Sequence, residues 1–221
     1  MKKFLLLLII LSAGGYGGYY YYENYYKPKP VDPAQVYQTS LAYAQGANKL
    51  PVDKKKSFEL LQQSAELGYA KAQMQLAYNY HTGNLTQKNE ELAIKWYTKA
   101  AKQNIVQAQY MLGYMYEKAM GVPKNDDLAM QWYSRASYNG NQNAQLLLGV
   151  MYAKHEKHIL SYAWLNLAAT TSNDKIREKA VALRDSLAEG MTPEEIKTAQ
   201  SQSTVFYEKI QMNKSKVPKD Q

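Results

Sequence analysis

The sequence predicts an all-α fold: a solenoid of stacked helix-turn-helix units, closed at its C-terminal end by capping helices. Three observations predict it. Trp96 and Trp132 stand 36 residues apart in matching text. A-Q-M-Q-L-A-Y-N-Y from Ala72 leads to E-E-L-A-I-K-W-Y-T-K-A-A ending at Ala101, and A-Q-Y-M-L-G-Y-M-Y from Ala108 leads to D-D-L-A-M-Q-W-Y-S-R-A-S ending at Ser137. The same interval joins Ala72, Ala108 and Ala144, then Leu76, Leu112 and Leu148, then Tyr80, Tyr116 and Tyr152. Within each unit these residues recur every four positions, which is helical spacing, and a turn signal then interrupts them. A fixed period in this range marks supersecondary units that bury their apolar faces only by stacking.

The elements follow in chain order. Met1-Lys2-Lys3 precedes an apolar run, Phe4 to Leu11, and then the small residues Ser12 to Gly15. That run is far short of the ~20 residues a spanning helix needs. Segment 1–15 therefore reads as a secretory signal peptide or as an uncleaved N-terminal membrane anchor, and either one exports the rest of the chain. Residues 16–33 read as a Tyr/Pro-rich linker, with seven of the 21 tyrosines between Tyr16 and Tyr26 and prolines at 28, 30 and 33.

About four repeats are expected over 34–172. The first fits near 34–71, where Leu60-Leu61 take the Trp-Tyr slot. In unit 72–107 the stripe Ala72, Leu76, Tyr80 ends at Gly83-Asn84, and a second stripe runs through Ala93, Trp96 and Ala100. Asn89-Glu90-Glu91 places a capping side chain and two acids at the start of that second helix. Unit 108–143 repeats the plan, with Gly121-Val122-Pro123 as its break and Asn125-Asp126-Asp127 as its helix start. Asn104 and Gly140 share the slot after the second helix, where a left-handed residue ends it. In the last unit Trp164 follows Ala144 by 20 residues rather than 24, so its turn is four residues shorter. Residues 173–212 are expected to form two capping helices. The second starts at Thr192-Pro193-Glu194-Glu195, an N-cap threonine with proline at N1 and a capping-box glutamate. Residues 213–221 read as a flexible tail.

The repeated text A-x-x-x-L-G-x-x-Y, the Gly-Val break and A-x-x-W-Y-x-x-A-A-x-x-G resembles the Sel-1-like repeat family, which is related to the tetratricopeptide repeats. Leu85-Thr86 departs from the Gly-Val break. S-Y-A-W-L-N-L-A-A (Ser161 to Ala169) and the later M-T-P-E-E-I (Met191 to Ile196) look like the end of bacterial members. The resemblance covers about 34–200. It implies a right-handed α-solenoid and an adaptor role, which some exported members exercise on envelope or host components.

Chemistry is scarce. There is no cysteine, so disulfides, thiolate metal sites and a cysteine nucleophile are excluded together. No G-x-S-x-G, P-loop or H-E-x-x-H occurs. His155 and His158 are spaced as a metal pair would be, but they fall in the shortened turn with no third ligand nearby. Glu90-Glu91 and Asp126-Asp127 are explained by their place at helix N-termini. No catalytic residue, metal site or cofactor is expected. The net charge of +8 is spread along the chain and arginine numbers only three, so nucleic acid is not an expected partner.

The expected ligand-facing residues come from geometry. In tetratricopeptide-like stacks the first helix of each pair lines the concave face, and its ligand-facing side chains lie off the packing stripe. Relative to Leu76, Leu112 and Leu148 these are Met74, Tyr78 and His81, then Tyr110, Tyr114 and Glu117, then Leu146 and Val150. Tyrosine and methionine in a groove suit adaptable recognition. The reading is a non-catalytic adaptor, exported to the periplasm or beyond, that binds a protein or peptide ligand; a cell-wall glycan or muropeptide is the alternative ligand. An envelope hydrolase finds no motif. Membrane contact is expected only through the N-terminal segment.

Overall fold

The computed structural model describes residues 30–216. The expectations for segment 1–15, for the tyrosine tract and for the last five residues lie outside the described residues. The chain divides into Met1–Asp32 and Pro33–Gln221, and the account below concerns the second unit.

Among the described residues ten helices follow one another: α1 (Pro33–Gln45), α2 (Lys54–Glu66), α3 (Ala70–Thr82), α4 (Glu90–Lys102), α5 (Val106–Glu117), α6 (Asp126–Tyr138), α7 (Gln142–Lys154), α8 (His158–Ala168), α9 (Asp174–Ala188) and α10 (Pro193–Lys216). Among the described residues there is no strand. Helices pair in order, α1 with α2 through α7 with α8, and each second helix also packs on the first helix of the next pair. This nearest-neighbour pattern is that of an α-solenoid. Helix α9 packs on α7 and α8, while α10 lies along α8 and reaches α6. It continues to Lys216, so the tail expected from residue 213 is helical in its first part.

The period is set by local chemistry at both ends of each helix pair. Asp53, Asn89 and Asn125, 36 residues apart, cap the second helices; their side chains accept from Lys56, Leu92 and Leu128 N–H. The backbone N–H of each capping residue also donates to a tyrosine carbonyl of the preceding helix, at Tyr43, Tyr80 and Tyr116 respectively. That bond fixes the turn. At the other end Gly68, Asn104 and Gly140 adopt φ of 97°, 62° and 87°, so the left-handed terminus expected of Asn104 and Gly140 is present.

The packing stripe is as dry as the period requires. Ala72, Leu76, Ala108, Leu112, Ala144 and Leu148 are all 0% exposed. Where helices approach most closely the residue must be small. A Cβ on Gly113 would lie 2.6 Å from the Tyr133 ring, and one on Gly149 would lie 2.8 Å from Leu165 Cγ. The three tryptophans are not equally buried. Trp164 is 2% exposed and stacks on Phe206 of α10 with centroids 4.4 Å apart, while Trp96 is 8% exposed. Trp132 is only half-buried, with the Arg135 guanidinium 4.7 Å from its ring centroid. Helix α10 adds the Phe206 ring over the last tryptophan.

A buried glutamine sits at the start of α3, α5 and α7, directly after the stripe alanine. Gln73 Nε2 donates to Ala65 O at 3.1 Å, Gln109 Nε2 to Ala101 O at 3.2 Å, and Gln145 Nε2 to Ser137 O at 3.3 Å. Each adds a second donor to a carbonyl at the C-terminal end of the previous pair, which already accepts the turn N–H of Gly68, Asn104 or Gly140. Side-chain amides then extend the clamp: Gln103 donates to Gln73 at 2.8 Å and Asn139 to Gln109 at 3.0 Å. Every junction along the stack thus has a directional polar lock inside an apolar interface.

Candidate functional site

The eight residues expected to face a ligand all lie on the first helices α3, α5 and α7, as three rows that cross the stack. The structure separates them by what they touch. In the row Tyr78, Tyr114, Val150, Tyr78 is 44% exposed, and Tyr114 and Val150 are half-buried. The Lys118 ammonium stands 6.0 Å from the Tyr114 ring centroid. Tyr78 is the most open of the three, while Tyr114 also packs against the cluster around Tyr133 and Leu148.

In the row Met74, Tyr110, Leu146, all three serve packing. Met74 rests against the cluster around Leu76 and Trp96. Tyr110 is half-buried with its ring 6.0 Å from that of Tyr133, and burial raises its phenol pKa, with Tyr114 and Glu117 adding to the effect. Leu146 is 9% exposed and packs with Leu165, Ile176 and Ala180. The expectation of a ligand-facing Leu146 is corrected here, because α9 docks against that end of α7 and takes the surface.

The third row is polar. His81 Nδ1 and Glu90 Oε2 are 2.8 Å apart, joining the end of α3 to the start of α4, and Lys88 Nζ lies 2.9 Å from Glu90 Oε1. Partial burial pushes the Glu90 carboxyl upward, but the hydrogen bonds from His81 and Lys88 outweigh it and hold it below the usual range. His81, expected as a surface residue free to meet a ligand, is engaged with its own chain. One repeat later Glu117 occupies the His81 slot. It accepts from Tyr133 Oη at 2.8 Å and from Lys118 Nζ at 2.6 Å. Burial, then the bond to Glu117, pushes the Tyr133 phenol pKa far upward. Tyr97, the Tyr133 counterpart, is 0% exposed, and its hydroxyl has no hydrogen-bond partner among the described residues. The two repeats therefore share a backbone and differ in the polar face they present.

No group of three or more His, Asp or Glu able to hold a metal is present among the described residues. His155 is exposed in the α7–α8 turn and His158 opens α8. Sequence reasoning missed the glutamine clamps. Their signal was in plain view: Ala-Gln recurs at 72–73, 108–109 and 144–145.

The family model of the Sel1 repeat matches residues 36–69, 70–105 and 106–141. A Sel1 repeat protein from Oxalobacter formigenes is 36% identical in its solved structure, with a TM-score of 0.51 over 53% of this chain and 87% of that one. The crystal structure of c5321, a protective antigen present in uropathogenic Escherichia coli strains and displaying an SLR fold, matches with a TM-score of 0.67 at 24% identity, over 86% of this chain. This chain spans 42% of that antigen's length, and the likeness shows the fold alone. No curated protein matches the chain.

Proposed function

The chain belongs to the Sel1 repeat family, whose members generally serve as protein-interaction scaffolds, and from that premise we propose that it is a non-catalytic adaptor holding a peptide or protein partner along its first helices. The observation that carries the reading is the row Tyr78, Tyr114, Val150. It presents one side chain per repeat, off the packing stripe, and two of the three are aromatic. Aromatic anchors supply large contact area with few rotatable bonds, and they concentrate binding energy at interfaces. The polar row beside it, His81 with Glu90 and Glu117 with Lys118, offers hydrogen-bonding groups of fixed orientation. The charged leader at Lys2 and Lys3 with the apolar run Phe4 to Leu11 supports export to the periplasm or beyond.

The test is Tyr78→Ala with Tyr114→Ala. The double variant is expected to keep the parental melting temperature within about 3 °C while losing at least about tenfold in affinity for a partner crosslinked in envelope extract. Tenfold corresponds to ~1.4 kcal/mol. Unchanged capture sinks the proposed face. Saturable binding of isolated muropeptides, abolished by the same pair, replaces the peptide partner with a cell-wall ligand.

A further inference from the structure

The junction between the α3–α4 and α5–α6 pairs opens, at the end opposite Tyr78 and Tyr114, into a cleft of about 690 Å³. Its walls come from four places: Lys102 and Asn104 at the end of α4, Gln109 at the start of α5, Arg135, Tyr138 and Asn139 at the end of α6, and Lys209, Met212 and Asn213 on α10. Helices of 13 residues separate the two ends, so this cleft lies roughly 20 Å from the turns that carry His81 and Glu117.

Three cations line this cleft and no carboxylate does. Among the described residues none of Lys102, Arg135 and Lys209 forms an ion pair with Asp or Glu. Two of them are positioned instead by aromatic faces: Arg135 lies over Trp132, and Lys209 Nζ stands 5.9 Å from the Tyr138 ring centroid. Asn213 Nδ2 donates to Tyr138 O at 3.1 Å and ties α10 to the rim. Met212, 53% exposed, adds an apolar wall.

The repeat architecture alone does not produce this charge. The corresponding cleft one unit earlier, about 430 Å³, is lined by Leu67, Gly68, Tyr69, Lys71 and Gln103 among others, with Lys71 as its one cation. The residue 36 positions before Lys102 is Glu66, an acid. The preceding unit keeps a cation at the Arg135 position, Lys99, so the excess charge of this junction comes from Lys102 and from Lys209 on α10.

We propose that this cleft binds an acidic segment of a protein partner, with Asp or Glu carboxylates on Lys102, Arg135 and Lys209 and an adjacent apolar side chain against Met212 and Tyr138. The site deepens the adaptor reading and rests on it for the partner's class, but it is a second surface, independent of the tyrosine row. A bare phosphate would leave most of the volume and the apolar wall unused, whereas an extended peptide fills both. Guanidinium and ammonium groups in a partly enclosed concavity give charge-assisted hydrogen bonds to carboxylates.

The experiment is fluorescence anisotropy with the purified full-length chain and a fluorescein-labelled hexaglutamate peptide flanked by leucines. The expected result is saturable binding that weakens as salt rises from about 50 to 300 mM. The triple variant Lys102→Gln, Arg135→Gln, Lys209→Gln should lose at least tenfold in affinity. The triple variant Lys54→Gln, Lys154→Gln, Lys175→Gln, with the same net charge, should lose less than twofold, as should Tyr78→Ala with Tyr114→Ala. If the cleft triple variant does not fold, Lys102→Glu alone should cost at least threefold, and parental affinity in that variant overturns the proposal. Equal losses in the two triple variants, equal affinity for the glutamine version of the peptide, or tighter binding of inorganic tripolyphosphate at the same cleft each overturn it. A loss confined to the tyrosine double variant leaves the first face standing and rejects this one.

Discussion

Tyr133 donates its phenolic proton to Glu117 at 2.8 Å, whereas Tyr97, in the same slot one repeat earlier, is fully buried with its hydroxyl unpartnered among the described residues. The backbones around the two rings are equivalent. The difference comes from a single position on the preceding helix, Glu117 in one unit and His81 in the other.

Phenylalanine at the two sites should therefore act oppositely. Tyr133→Phe removes a hydrogen bond to a charged acceptor and leaves Glu117 under-satisfied, for an expected loss of about 1.5–3 kcal/mol. Tyr97→Phe removes an orphaned polar atom and should be neutral or stabilising by up to about 1 kcal/mol. Chemical denaturation of both variants checks this, and equal losses would show that Tyr97 has a partner.

The tryptophans should rank by cover rather than by repeat position. Trp164→Ala empties a slot beneath Phe206 and Tyr138 and should cost about 3–5 kcal/mol. Trp132→Ala, half-buried, should cost about half as much. A larger loss at Trp132 than at Trp164 would mean that α10 contributes little to the fold.

The turns inside the two best repeats each contain two left-handed residues, and they place their glycines differently. Gly83 and Leu85 have φ of 76° and 64°, whereas Ala119 and Gly121 have φ of 56° and 69°. Ala119→Gly removes a strain of roughly 1–2 kcal/mol, partly offset by glycine's entropy, for an expected gain of about 0.5–1 kcal/mol. Gly121→Ala adds that strain and sets a Cβ 2.6 Å from Glu90 Cβ, so it should cost more than about 2 kcal/mol. Thermal melts of the pair provide the check.

Acid should act through Glu90. Its carboxyl titrates below the usual 4.5 in the folded chain because His81 and Lys88 bond to it, so the unfolded chain takes up that proton more readily. The stabilisation is present above pH 4.5 and is lost as pH falls through the folded value. Glu90→Gln should flatten the fall in melting temperature below about pH 4.5, relative to the parent; identical profiles would show that the pair adds no stability.

The alanine, leucine and tryptophan repeats announced the solenoid because few folds besides a stack of identical units bury apolar positions at a fixed interval, and Ala72 to Leu148 are as dry as that argument needs. The capping asparagines and the left-handed Asn104 and Gly140 were legible for the same reason, since helix ends restrict residue type. Leu146 was misplaced because helical periodicity identifies a face but not what docks on it. Helix α9, distant in sequence, covers Leu146. The glutamine clamps escaped because a pattern search tuned to apolar residues passes over a polar one that is buried. The basic cleft needed three helices brought together, and no spacing within the sequence joins Lys102, Arg135 and Lys209.

The clamps also make the stack's length a discrete variable. Each glutamine takes the carbonyl eight residues before it, whichever pair supplies that carbonyl. Excising residues 73–108 would join Ala72 directly to Gln109 and put Ala65 O within reach of the new amide, with the cap at Asn125 and the docking of α10 untouched. An excision of 35 or 37 residues would rotate every later side chain about 100° around its helix and break the lock at once. Whole units can be gained or lost at a junction of this kind, while single residues there cannot.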